Sequence, residues 1–211
     1  MKLYQSIGPN PRVVTMFIAE KAMDVPRQFI DILTAENRQP DFLAKNPAGG
    51  VPVLETDGGH FVAESLAICE YLEECQAASP LIGETPEARA ETRATMRTID
   101  QSVIVPMTNG FRGSEGLPMF ESRMACFPDA APGNKAQAQD GLAKLDAALA
   151  DKAFMCGSRF TLADILLFCF VEFGAQVGQP LPDTLSNLKA WQARVAARPS
   201  AAISADPKNG L

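Results

Sequence analysis

Hydrophobic and polar positions change their period once along the chain. In the first 76 residues short alternation dominates: Lys2 to Gln5 and Pro26 to Leu33 alternate, while Val51 to Leu54 and Phe61 to Ala63 carry strand-forming residues. Asp57-Gly58-Gly59 between the last two is a hairpin turn. Helices are predicted at Arg12 to Met23, Gln39 to Lys45 and Ser65 to about Cys75. The order is β-α-β-α-β-β-α. Two βα units require parallel pairing before the closing hairpin, so this half should form a small mixed sheet with helices on its faces.

Beyond Pro80 the strand signals stop. Thr85-Pro86-Glu87 reads as a helix start, with a Thr cap, a proline at the first helical position and an acidic first turn. Met96, Ile99, Val103 and Met107 then recur at helical spacing, so a long helix should run to about Pro106 or beyond. Leu142, Leu145 and Leu149 mark a second helix, and Leu162 to Val177, apolar nearly all round, a central buried one. Leu188, Trp191 and Val195 give a last amphipathic helix, closed by Arg198-Pro199. The expected domains are residues 1–76, a linker at 77–84, and an all-helical part at 85–211.

Composition narrows the classes. The 211 residues carry a net charge of −6, which disfavours binding to a phosphate backbone, so no nucleic-acid partner is expected. The longest apolar run, Ile165 to Val171, is halted by Glu172 and Gly174, too short to cross a bilayer, and no membrane partner is expected. Met1 to Gln5 enters a strand pattern directly, without a signal-peptide core, and the expected location is the cytoplasm. Five scattered cysteines without a C-x-x-C pair suggest buried thiols, and a single histidine, His60, excludes a multi-histidine centre; no metal is expected. Arg89, Arg93 and Arg97 form a stripe that reads as a solvated face or a dimer contact.

Four short motifs could carry chemistry. Thr161-Leu162-Ala163-Asp164 has the spacing of a capping box and reads as structural. Val51-Pro52-Val53 places a proline at a strand start; spacing alone favours a trans bond, whereas a cis bond would leave the Val51 N–H and C=O free for an extended peptide. Ser65 is a natural N-cap whose following amides form an anion site, with Glu64 beside it able to hold an ammonium. Asn10-Pro11 reads as an N-cap with proline at N1, and Ser6 lies in the same turn. Either side chain could donate to an anion or simply cap and turn.

With Asn46-Pro47-Ala48-Gly49-Gly50-Val51-Pro52-Val53-Leu54, Glu64-Ser65 and Ser158-Arg159-Phe160-Thr161-Leu162-Ala163-Asp164 in register, the whole chain resembles the cytosolic glutathione transferases. Gln39 to Asn46 and Ala67 to Leu72 look most like the fungal and bacterial branch that lacks the usual catalytic Tyr, Ser or Cys. The resemblance implies an α/β thioredoxin-like N-terminal domain plus an all-α C-terminal domain, and a cis Val51-Pro52 bond. Glutathione is the implied co-substrate, its cysteinyl unit on the Val51 backbone and its γ-glutamyl group on Glu64 and Ser65. Lys45, Arg38 and Gln39 are the implied partners of the glycine carboxylate, and Asp100 would reach the amino group across a homodimer. Met107, Thr108, Asn109, Phe111 and Arg112 are implied at the site of a small apolar electrophile, with Met119, Phe120 and Met124 as an adaptable wall or core packing.

The departures are informative too. Gly50 stands where many relatives carry a polar side chain, which weakens or shifts the hold on glutathione, and Asn10 stands where a cysteine-dependent class has its cysteine. Activation of the ligand's own thiol then rests on Asn10 or Ser6, with the backbone amides of Arg12 and Val13 or an ordered water as further donors. Lowering a thiol pKa by two units takes about 2.7 kcal/mol. One charge-assisted hydrogen bond of roughly 1.5–3 kcal/mol plus a helix terminus of about 0.3–1 supplies that. An Asn10 capping its own helix, however, could not also point at sulfur. Conjugation of glutathione to an electrophile is the expected reaction. The rivals are a glutathione-dependent peroxidase or oxidoreductase, and a non-catalytic ligand-binding module.

Overall fold

The computed structural model describes residues 1–208. It divides into two compact units, Met1–Leu81 joined by the chain from Ala196 onward, and Ile82–Val195.

In the first unit β1 (Lys2–Gln5) pairs parallel with β2 (Arg27–Phe29) and antiparallel with β3 (Val53–Glu55), which pairs antiparallel with β4 (Phe61–Ala63), giving the order β2-β1-β3-β4. Helices α1 (Pro9–Glu20), α2 (Pro40–Leu43) and α3 (Ser65–Cys75) alternate with the strands in the expected sequence. This is the thioredoxin-like arrangement. The pleat sends neighbouring residues of β1 to opposite faces: Leu3 is paired with Leu54 and Tyr4 with Val53. Tyr4, Ile30, Phe42 and Val53 form one buried cluster, against which Val51 packs. Helices α1 and α3 pack on each other, and Val13, Val14 and Phe17 of the one and Ile68 and Leu72 of the other are buried.

The helical unit closes at Val195, short of the chain's end. After α9 (Ser186–Ala196) the chain starts one more helix, α10 (Pro199–Ile203), with Pro199 at N1, and this segment belongs to the first unit, not to the helical part in which the sequence places it. The reason is the carboxylate of Glu20 at the end of α1. It accepts from Arg198 Nε (2.7 Å) and Nη2 (2.6 Å) and from Ser200 Oγ. Further on, Gln5 Nε2 donates to the Pro207 carbonyl at 2.6 Å. Burial pushes the Glu20 carboxyl up, but the Arg198 and Ser200 hydrogen bonds outweigh it and hold it below the ordinary range. A depressed folded-state pKa gives stability that is present above the unfolded value, near 4.5, and is lost as the pH falls through the folded value. Acidification from about pH 6 to about pH 3 should therefore release residues 196–208 ahead of the core, seen as a fall in their amide protection factors, each taken relative to the intrinsic exchange rate at that pH; unchanged protection factors over that range would contradict it.

The second unit is helical. Helix α4 (Pro86–Ile99) starts on Thr85, whose hydroxyl accepts from Ala88 N. It continues through a π-helical turn, Asp100–Ile104, into α5 (Val105–Arg112). Pro106 has no N–H to give the Ser102 carbonyl, and Val105 N–H bonds back to Asp100, a five-residue step. The Ser102 carbonyl instead abuts Gly141, where a Cβ would stand 2.2 Å from that oxygen. Gly141 lies on α7 (Ala131–Ala148), which follows the short α6 (Leu117–Phe120). The apolar α8 (Leu162–Gln176) runs through the core, and its first turn carries the expected capping box of Thr161 and Asp164. Among the described residues no helix is long and apolar enough to cross a membrane. Cys69, Cys156 and Cys169 are buried, whereas Cys75 is exposed.

Candidate functional site

The loop between β1 and α1 and the start of α3 come together at one hydrogen bond. Ser65 Oγ donates to Asn10 Oδ1 at 3.0 Å, across 55 residues of sequence. The local chain explains how. Helix α1 starts at Pro9, earlier than the Asn10-Pro11 pattern suggests, with Gly8 at its N-cap and no side-chain cap. Asn10 is thus inside the first turn and does not cap its own helix, which removes the conflict raised by the sequence. Its Nδ2 has no intramolecular acceptor among the described residues. Likewise Ser65 is not the N-cap of α3 but its first residue; Glu64 occupies the cap at φ 69°, a positive-φ conformation that costs of order 1–3 kcal/mol in a non-glycine residue. Ser65 is buried and Glu64 exposed. The first amides of α3 have no intrahelical acceptors, as at any helix start.

Val51-Pro52 is a cis bond. The Val51 N–H and C=O enter no hydrogen bond among the described residues. Two asparagines hold the approach to it: Asn46 Nδ2 donates to the Gly50 carbonyl at 2.9 Å, and Asn37 Nδ2 to the Gly49 carbonyl at 2.7 Å. A side chain at Gly50 would meet only Asn46 Nδ2 at 3.5 Å, so no backbone conformation or crowding demands glycine there. Nothing in the local pattern marks Asn37, because its partner lies twelve residues on.

The three residues implied for a glycine carboxylate separate. Arg38 Nη1 donates to the Ala48 carbonyl in the loop before Val51. Lys45 and Gln39 instead line a separate recess of about 410 Å³ with Tyr4, Gln28, Ile30 and Phe42. The Lys45 ammonium stands 5.5 Å and 5.7 Å from the Tyr4 and Phe61 ring centroids and donates one proton to the Asp41 carbonyl at 3.1 Å. Beside it, Tyr4 donates to Glu55 at 2.6 Å, and burial together with that carboxylate pushes its phenol up to about 12. Ser6 is corrected: 1% exposed, it gives its one hydroxyl proton to the Ile30 carbonyl at 2.6 Å.

In the helical unit Met107 is fully buried, with its carbonyl held by Gln179 Nε2 at 3.0 Å, so its helical spacing marks the core and not a substrate wall. Thr108 Oγ1 returns to the Ile104 carbonyl, and Asn109 is exposed. Phe111 packs edge-on against Phe120 and Phe173, and the Arg112 guanidinium lies over Phe120 at 5.6 Å. Asp100, on the π-helical turn, pairs with Arg97 at 3.0 Å.

Family models agree with this architecture. The glutathione S-transferase N-terminal domain matches residues 1–74 and the C-terminal domain residues 118–199. Glutathione S-transferase 2 of Saccharomyces cerevisiae is 30% identical over 197 residues, 92% of this chain and 84% of that protein. A crystal structure of a glutathione S-transferase domain-containing protein from Marinobacter aquaeolei superposes with a TM-score of 0.89 at 36% identity, covering 95% of this chain and 99% of that one. Human elongation factor 1-gamma is 35% identical over 133 residues, 63% of this chain but 28% of that protein. The chain belongs to the glutathione S-transferase family. Its class is that of the glutathione transferase enzymes.

Proposed function

We propose that the thioredoxin-like unit binds glutathione and activates its thiol, and that the enzyme transfers the thiolate to a small apolar electrophile. The unpaired Val51 N–H and C=O take the cysteinyl unit in strand fashion. The N-terminal amides of α3, the Ser65 N–H first among them, take the γ-glutamyl carboxylate, while the Ser65 hydroxyl stays on Asn10; Glu64 takes the ammonium and Arg38 the glycine carboxylate. The observation that carries the reading is the Ser65–Asn10 hydrogen bond: it engages Asn10 Oδ1 and leaves Nδ2 as a donor at the same place. That donor stabilises the thiolate, and Ser6, committed to Ile30, does not. Phe111 and Arg112 are the helical unit's contacts for the electrophile. No protein nucleophile is required, in keeping with the branch that lacks the usual catalytic Tyr, Ser or Cys. The working form is a cytoplasmic homodimer with a detoxifying role, in which Asp100 reaches the partner's bound ligand.

Glu64→Ala should weaken glutathione binding at least about tenfold, or about 1.4 kcal/mol, in calorimetric titration, whereas Ser65→Ala keeps the helix amides but releases Asn10 and should lower turnover more than binding. Asn10→Ala should lower turnover more than binding and raise the pKa of the bound thiol. Absence of glutathione binding below millimolar concentration in the native protein would sink the reading. A second reading, a binding module without chemistry, is favoured by the open Gly50. It requires bound glutathione to keep an ordinary thiol pKa.

A further inference from the structure

Resting on the glutathione reading, we infer that Asn37 is a positioning residue that sets the affinity for the thiol ligand without touching it. Asn37 is 5% exposed and sits in the 3₁₀ turn Glu36–Arg38, an unusual place for a buried amide. Its Nδ2 donates to the Gly49 carbonyl at 2.7 Å, while its Oδ1 has no hydrogen-bond partner. Gly49 is at φ +64°, and a Cβ there would stand 2.9 Å from both the Asn37 carbonyl oxygen and Arg38 Nη1. The turn and the Gly49 peptide are therefore in closest contact, with the buried Asn37 amide as a polar tie across it.

Because a peptide is planar, fixing the Gly49 C=O also fixes the direction of the Gly50 N–H. Gly50 has no side chain of its own to anchor, and it immediately precedes the free Val51 backbone pair. The orientation of that pair depends on restraints supplied upstream. Asn46 restrains the Gly50 carbonyl and Asn37 the peptide before it. Removing Asn37 leaves the Gly49–Gly50 peptide held only at its two ends by Asn46, whose carbonyl accepts from the Gly49 N–H at 2.8 Å and whose Nδ2 donates to the Gly50 carbonyl, and ligand binding must then remove the added freedom of this glycine-glycine segment.

The test is calorimetric titration of the full chain with glutathione, alongside turnover with 1-chloro-2,4-dinitrobenzene. Asn37→Ala should raise the Kd and the KM for glutathione about tenfold, with kcat at saturating glutathione within about twofold of the native value. Asn37→Asp keeps the shape but sets a carboxylate against the Gly49 carbonyl. It should bind about tenfold more weakly at about pH 7.5 and regain most of the affinity at about pH 5, where the protonated acid donates again; burial favours that protonation. Variants that fold and bind glutathione within about twofold of native at neutral pH overturn the inference while leaving the function intact. So does an Asn37→Asp defect of equal size at both pH values, or a fall in kcat equal to the rise in KM. If the native protein gives no binding heat, the function itself fails and the inference with it.

Discussion

Asp164→Ala should destabilise the helical unit by at least about 4 kcal/mol, a large share of the roughly 5–15 kcal/mol that holds a typical domain. Asp164 is fully buried and accepts from Met155 N at 2.8 Å, Thr161 N at 2.9 Å, Trp191 Nε1 at 2.9 Å and Thr161 Oγ1 at 3.2 Å. Burial pushes its carboxyl above the ordinary range, and the four donors offset that only in part. Alanine leaves three buried N–H groups without acceptors, each costing about 1–3 kcal/mol, and removes half of a capping box. Asp164→Asn would keep one oxygen for Met155 and Trp191, but the new amide nitrogen cannot accept from Thr161 N, so this variant should cost about half as much. Trp191 is the sole tryptophan, buried and bonded to Asp164, so its fluorescence in urea reports this unit alone. A loss below about 1 kcal/mol for Asp164→Ala would show that the box is not what holds α8 in place.

That box is legible in the sequence because its partners lie three residues apart and its residue types have one economical use at a helix start. The same holds for the hairpin at Asp57-Gly58-Gly59 and for the strand and helix order, which follow from period and turn chemistry. The proposed site residues divide differently. Glu64, Ser65, Val51 and Pro52 are reached through motif resemblance, but the geometry that joins Ser65 to Asn10 spans 55 residues and has no local signature. Two prolines flank Asn10, and the pattern favours Pro11 at N1; the helix instead takes Pro9, with Gly8 supplying a conformation at φ 113° that side chains rarely adopt. The aromatic pair beside the Lys45 ammonium, Tyr4 and Phe61, eludes the sequence because the two rings are drawn from different strands. Met107 misleads because a core stripe and a substrate wall have the same period in sequence.

The second large effect belongs to a group that no motif announces. The Lys21 ammonium, 0% exposed, bonds Glu73 Oε2 at 2.8 Å, the Ala78 carbonyl at 2.8 Å and the Ser79 carbonyl at 3.4 Å, while Glu73 Oε1 accepts from Leu81 N at 2.8 Å. One ion pair thus ties the end of α1 and the last turn of α3 to the segment 78–81 that leads out of the first unit. Glu73→Ala should cost about 3–5 kcal/mol, because it leaves a buried cation with only neutral acceptors and strands the Leu81 N–H. Replacing both partners together, Lys21→Met with Glu73→Leu, removes the charge and should recover most of that loss. The recovery stays incomplete because the Leu81 N–H and the Ala78 carbonyl still lack their partners. Denaturant unfolding of the three proteins, with protease cleavage between residues 77 and 84 as the local probe, separates the contributions. If the double variant is no more stable than Glu73→Ala, the loss comes from the stranded backbone groups and not from an uncompensated charge.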